Sequence, residues 1–402
     1  MMNLKVVISI VLTLSLLLCL VGCKQKMPQE NNSSIENKPI NPTLEQIVEE
    51  QMSNMTLDEK IAQMLIISHS GYSVDEQLLN EIKTVKPGGF ILFDNNISDY
   101  TSTKKFVETL QENSQIPLII STDQEGGRVQ RMKSLTSPRA TNIPYMRELG
   151  NTGDCELARQ VGRVMAKELR TIGVNVVYAP VVDISRKDGK DFIGERSFGT
   201  SAKLVSDMAI SLANGLEQNG VVATYKHFPG HGATVTDSHK KLPVINKSLK
   251  ELKNKELVPY EAAIKNGAKI IMVGHLSAPK VTGEDTPATL SKVIVTDILR
   301  KEMGYDGLVI TDALNMKALT DNYSYKEIYI NAIEAGCDIL LMPHNSARAV
   351  KIIKENISEE RIDESVKRIL MFKYQNFENY EMLDSAYLGC ESHKKIINKI
   401  SK

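Results

Sequence analysis

The 402-residue chain has seven histidines, and three of them fall within residues 225–239, YKHFPGHGATVTDSH, beside a lysine and an aspartate. Such a cluster suits a metal site, a proton relay, or a plain polar loop. His227 and His231 have the i, i+4 spacing of a zinc-binding helix, but Phe228-Pro229-Gly230 between them cannot form a regular helix, so the His-Glu-x-x-His arrangement is absent. A loop could still hold zinc through His227, His231 and His239, with Asp237 as an outer partner. Asp237-Ser238-His239 suggests different chemistry. A carboxylate two residues before a histidine can accept the ring N–H, fix the tautomer and raise the basicity of the other nitrogen. Such a ring can give a proton to a leaving group and later take one from a nucleophile.

These residues need a scaffold, and the chain describes one. Eight short Val/Ile/Leu-rich runs recur at 64–68, 89–93, 117–122, 174–180, 221–226, 269–274, 307–311 and 338–343. They are nearly continuous in apolar residues, as parallel strands covered on both faces are. Between them lie stretches of helical spacing, for example LARQVGRVMAKELRTIG and AKLVSDMAISLANGLEQNG, each closed by a glycine. Eight strand–helix repeats predict a single (β/α)8 TIM-type barrel over residues 44–375, with a helix and tail over 376–402. An open doubly wound sheet is the competing fold, and it lacks here the glycine-rich phosphate turn after the first strand. Polar residues gather just past the strands: Asp94, Asn95, Asp123, Glu125, Asp183, Lys226, His227, His275, Asp312 and His344. In a barrel these converge on the catalytic face.

The ends and the composition narrow the class. Residues 1–22 carry one early lysine and an apolar run over 6–20, the build of a secretory signal, and Leu20-Val21-Gly22-Cys23 resembles a bacterial lipobox. An acylated Cys23 would anchor the chain to the extracytoplasmic face of the cell membrane. Residues 23–43, polar and rich in Asn, Pro and Ser, read as a flexible tether. Lys plus Arg and Asp plus Glu both number 49, so no basic surface points to nucleic acid. Cys155, Cys337 and Cys390 are too far apart for a disulfide framework or a C-x-x-C metal site.

The 225–239 stretch resembles the signature of glycoside hydrolase family 3 β-N-acetylglucosaminidases of the NagZ type. GGFILF (88–93), DQEGGRVQR (123–131), APVVDI (179–184), GERSFG (194–199), PATLS (287–291), ITDALNM (310–316) and AGCDILLMP (335–343) agree in the same order. The resemblance spans residues 44–374. Asp191-Phe192 stands where relatives often have Pro-Val, and Asp94 where an arginine is common.

The resemblance implies a retaining glycosidase acting on carbohydrate without metal or other cofactor. Asp312 would be the nucleophile, although its position also suits a helix cap; His239 would be the acid/base and Asp237 its orienting partner. Asp123, Arg131, Arg196, Lys226 and His227 would bind the sugar. Arg128 is expected in a structural ion pair, His231 in loop bracing, and Asp183 in a structural role. Gly126-Gly127 fits either close backbone approach or a tight turn. Gly230 and Gly232 are expected to hinge a loop over 230–242. The expected substrate is terminal β-linked N-acetylglucosamine on peptidoglycan fragments. β-Glucosidase and phosphorylase activities of the same family stay open, as do two distant readings: a metal-dependent barrel hydrolase and a sugar-binding lipoprotein.

Overall fold

The structure, a computed structural model, describes residues 42–189, 191–234 and 242–400. All eight apolar runs contain a strand: β1 (Leu65–Ile67), β2 (Gly89–Leu92), β3 (Ile119–Thr122), β4 (Val176–Val177), β5 (Val222–Phe228), β6 (Ile270–Val273), β7 (Leu308–Thr311) and β8 (Leu340–Leu341). Every neighbouring pair is parallel, in the order β8-β1-β2-β3-β4-β5-β6-β7. A parallel bridge between Ile310 and Ile339 joins the two outermost strands and closes the ring. The strands are buried along their whole length, as barrel staves under a jacket of helices must be.

The helices form where sequence supplies both caps and an apolar stripe. The first, Leu44–Ser53, is closed at its start by a reciprocal Thr43–Gln46 capping box, and Leu57–Gln63 by Thr56 with Glu59. Cys155–Thr171 buries Leu157, Ala158, Val161, Met165 and Leu169, one face of a 3.6-residue repeat. It crosses Ala202–Glu217 where two glycines meet. A Cβ on Gly162 would come within 2.1 Å of the Leu212 carbonyl, and one on Gly215 within 2.0 Å of the Arg159 carbonyl. Only bare backbone allows that approach.

Two local features arrange the catalytic face. After β3 the chain folds into a small antiparallel hairpin, Gln124–Gly126 with Val129–Gln130. Its turn has positive φ at Gly126 (106°) and Gly127 (57°), and the Tyr145 ring lies over Gly127. The two glycines therefore make a tight turn under a packed ring. In β5 the pairing with β6 shifts register between Lys226 and Phe228. Such an irregularity re-aims side chains that strict alternation would send to opposite faces.

The last long helix, Glu359–Phe377, runs past the expected barrel boundary at residue 375. The tail then packs on Cys155–Thr171. Glu168 accepts hydrogen bonds from His393 Nδ1 (2.8 Å), the Gly389 N–H (3.1 Å) and the Thr141 N–H (2.8 Å).

Candidate active site

A cavity of about 440 Å³ opens at the C-terminal ends of the strands. Asp123, Arg131, Arg196, Lys226, His227 and Asp312 all line it. His239 and Asp237 lie outside the described residues, as does Cys23.

One wall is a buried ionic cluster. Glu125, carried on the hairpin, receives two hydrogen bonds from Arg196, Nε to Oε2 at 2.7 Å and Nη2 to Oε1 at 2.8 Å. Lys226 Nζ lies 2.7 Å from Glu125 Oε1 and 2.7 Å from Asp123 Oδ1. Burial alone would push the Glu125 carboxyl up. The charges of Arg196 and Lys226 more than reverse this and hold it well below the usual carboxylate range. For Lys226, burial works against the charged form, but Asp123 and Glu125 raise its pKa. Both cations therefore stay charged and fixed before any ligand arrives. Asp123 keeps accepting capacity, with Oδ2 3.6 Å from Arg131.

A second wall is built on Asp183. Its carboxylate meets His227 Nδ1 at 2.7 Å and the His231 backbone N–H at 2.5 Å. His227 thus commits Nδ1 to the scaffold and turns Nε2 toward the cavity it lines. His231 bonds Thr234 Oγ1 through its own Nδ1 (2.8 Å) and packs on the Phe192 ring at 5.2 Å. Burial lowers its pKa to about 4 despite the nearby Asp183 charge, so this ring is neutral at ordinary pH.

Asp312 sits at the end of β7. Its N–H bonds the Val273 carbonyl (2.9 Å), and one carboxylate oxygen accepts the Ala313 N–H (2.8 Å). His275, its ring fixed between Thr289 Oγ1 (2.8 Å) and the Ala313 carbonyl (2.9 Å), braces the same turn. Burial would raise the Asp312 carboxyl, but the fields of His275 and His227, the Ala313 N–H and Lys226 lower it. A group held ionised, with one oxygen free of donors among the described residues and lining the cavity, is equipped as a nucleophile.

Three expectations need amendment. Arg128 makes no ion pair among the described residues; it lies 5.8 Å over the Phe192 ring and 3.4 Å from the Phe192 carbonyl. Gly232 is packed, since a Cβ there would come within 2.2 Å of the Ile184 carbonyl, and that close fit explains the glycine without a hinge. His344, counted among the ring of polar residues, stacks on Tyr325 at 4.6 Å and does not line the cavity. The two departures from the family pattern both build the rim. Asp94 takes Arg131 Nη1 at 3.1 Å. Asp191 ties its loop through Ser185 Oγ (2.7 Å), the Arg186 N–H (2.8 Å) and the Gly194 N–H (2.7 Å), which sets Phe192 against the cavity.

The model of the glycosyl hydrolase family 3 N-terminal domain matches residues 56–372. The chain belongs to glycosyl hydrolase family 3. It is a glycoside hydrolase. A β-hexosaminidase of Tolumonas auensis is 34% identical over 292 residues, 72% of this chain and 85% of the relative. A solved family 3 β-N-acetylglucosaminidase from Paenibacillus sp. is similar with a TM-score of 0.80 at 34% identity, over 86% of this chain and 68% of that one. A β-glucoside phosphorylase is similar with a TM-score of 0.82 at 26% identity, over 91% of this chain and 68% of that one.

The spacing of motifs along the family 3 chain does not reveal the roles of Glu125 and His275 as braces, nor which residues Asp183, expected in a structural role, holds. Glu125 and Arg196 are 71 residues apart, and His227 and Asp183 are 44 apart. The available signal was only that each follows a strand.

Proposed function

We propose that this family 3 hydrolase is a retaining, exo-acting β-N-acetylhexosaminidase that removes terminal β-linked N-acetylglucosamine from peptidoglycan fragments. The observation that carries the reading is the ionised Asp312 carboxylate, which shares one cavity with the Asp123–Lys226–Glu125–Arg196 cluster. A sugar held by Asp123, Arg131, Arg196, Lys226 and His227 brings its anomeric carbon to Asp312. Attack forms the glycosyl-aspartate bond as the bond to the aglycone oxygen breaks, and His239, oriented by Asp237, gives that oxygen its proton. In the second half His239 takes a proton from water, which attacks the anomeric carbon and frees Asp312. His231, which lines the cavity, is fixed to Asp183 through its N–H and to Thr234 through its ring, a firm base just before residues 235–241. The names of the relatives favour hexosamine over glucose.

Lipidation at Cys23 places this activity on the extracytoplasmic face of the cell membrane, within reach of wall fragments. Among the described residues no helix is long and apolar enough to cross a membrane. Labelling with a radioactive or alkynyl fatty acid, lost in Cys23→Ala, tests the anchor.

The catalytic test is an assay on aryl β-N-acetylglucosaminide and aryl β-glucoside, with EDTA and with and without phosphate. The expected outcome is release of free N-acetylglucosamine, insensitive to EDTA, with the glucoside a poor substrate. A histidine acid/base need not present a negative charge to an incoming anion, and a phosphorylase is among the similar structures. Sugar 1-phosphate as the main product would move the assignment to phosphorolysis. Loss of turnover on chelation would refute the metal-free reading.

A further inference from the structure

Residues 231–246 carry His239, and the residues on either side of that segment meet the same buried side chain. At its start, the His231 N–H is tied to Asp183, which follows β4. Near its end, the Ile245 N–H bonds the Ser277 carbonyl at 2.7 Å, and the Ser277 N–H bonds the Pro243 carbonyl at 2.8 Å. Ser277 follows β6, so the two ends hang on different parts of the barrel. Glu256 joins them. It sits in the turn between the helices Leu249–Lys253 and Val258–Lys265, and is 2% exposed. Its Oε1 accepts a hydrogen bond from Lys247 Nζ at 2.5 Å. Its methylene groups lie against Gly230, where a Cβ would come within 2.9 Å of the Glu256 Cβ and 3.0 Å of its Cγ. Gly230 has φ 130°, so both its conformation and this contact call for a residue with no side chain. One helical turn further on, the Tyr260 and Phe228 rings meet edge to face, 5.0 Å between centroids, so the same stretch also grips the end of β5. Gly230 and the Lys247 ammonium are thus within the reach of one glutamate side chain.

We propose that Glu256 is a positioning residue for the acid/base step: by tying Gly230 to Lys247 it narrows where the His239 ring can stand beside the glycosidic oxygen. The assignment rests on the reading of His239 as the acid/base. Holding the two ends of a segment together removes conformations from everything between them. The reaction is sensitive to that, since a misplacement of about 1 Å can cost roughly a hundredfold in rate. Glu256 itself does not line the cavity and acts only through the segment it ties.

The test compares Glu256→Gln and His239→Ala with the wild type on phenyl and 2,4-dinitrophenyl β-N-acetylglucosaminide. Here kcat/KM reports the glycosylation step, in which the phenolate needs a proton and the dinitrophenolate does not. Glu256→Gln keeps the contact with Gly230 and weakens the tie to Lys247. Its kcat/KM should fall roughly tenfold on the phenyl glycoside and by less than about twofold on the dinitrophenyl one. In the His239→Ala background the same change should cost nothing further, because the group it positions is gone. Lys247→Arg, which keeps a cation for Glu256, should hold the wild-type ratio of the two rates. Equal losses on both glycosides, no loss on either, or an additive loss in the His239→Ala background would overturn the proposal. Should Glu256→Gln fail to fold, Lys247→Gln breaks the same tie from its partly exposed partner and is judged by the same outcomes. If His239→Ala itself spares the phenyl glycoside, the acid/base reading has failed and this inference goes with it. A selective His239→Ala beside an unselective Glu256→Gln sinks this inference alone.

Discussion

Two buried ionic clusters sit at opposite ends of the barrel strands, and they are finished differently. Asp338, just before β8, is fully buried. Its Oδ2 accepts Arg300 Nη2 (2.5 Å) and the Val309 N–H (2.9 Å), and its Oδ1 accepts Ser365 Oγ (2.9 Å) and Arg368 Nη1 (3.3 Å). Arg300 spends its other N–H groups on the Tyr305, Gly307 and Gly336 carbonyls. That cluster is closed. At the catalytic end, Asp123 keeps an oxygen 3.6 Å from its second cation, and Asp312 keeps one without a donor among the described residues. The same chemistry that locks one end of the molecule is left incomplete at the other, where a ligand can finish it.

Replacing one carboxylate at each end should separate these roles. Asp312→Asn should lower kcat/KM by at least about a thousandfold, since an amide cannot form the glycosyl-enzyme. Its urea midpoint should match the wild type or exceed it, because a desolvated charge has been removed from a site not optimised for stability. Asp338→Asn should do the reverse. It leaves Arg300 and Arg368 facing a neutral group, and about 3 kcal/mol of unfolding free energy should disappear while kcat/KM of the remaining folded enzyme stays near wild type. If the Asp338 variant lost activity at full stability, the division between the two ends would be wrong.

How much of this contrast could be read from the chain depends on the range of each interaction. The eight strands were legible because burial on both faces writes each as one unbroken apolar run, and the helix Cys155–Thr171 because its stripe repeats locally. The positions of Asp123, Lys226, His227 and Asp312 followed from strand ends alone. Lys226 and His227 are the instructive case. As neighbours in a strand they should face opposite sides, yet both line the cavity, because the pairing with β6 slips by one residue between Lys226 and Phe228. No spacing rule predicts that slip. Glu125 was equally opaque. It read as one more polar residue after β3, and its meaning comes from Arg196, delivered by a loop 71 positions later. Phe192 was visible as a departure from the family pattern but not as an aromatic wall, which needs the Asp191 knot to aim it.

Acid should act on the catalytic end through His231. Its folded pKa is about 4, against about 6.5 for an exposed histidine, so the fold favours the neutral ring. Between those values the unfolded chain binds the extra proton, and stability rises with pH across the window. The contribution is complete above pH 6.5 and is lost as pH falls toward 4, on the order of 3 kcal/mol at most. Glu125 and Asp312, with lowered pKa values, add losses of the same sign only below the ordinary carboxylate range. Urea unfolding at pH 6.5 and 4.5 should therefore show a steeper fall for the wild type than for His231→Asn. Parallel slopes would remove His231 from the account.

The smallest effect should come from the rim, where Phe192→Val restores the side chain that relatives often carry. The Phe192 ring lies 5.8 Å from the Arg128 guanidinium, 5.9 Å from that of Arg196 and 5.2 Å from the His231 ring. Arg196 has its bidentate bond to Glu125 and should keep its place without the ring. Among the described residues Arg128 has only the ring and the Phe192 carbonyl, so losing the aromatic face should free its guanidinium; such exposed cation–π contacts are worth about 0.5–1 kcal/mol. The expected result is a KM about two- to fivefold higher for long aglycones that pass Arg128, with kcat and the KM of small aryl glycosides nearly unchanged. A fall in kcat would mean that Phe192 also fixes Arg196 or His231. The open end of the molecule would then be more tightly coupled to its rim than its hydrogen bonds alone indicate.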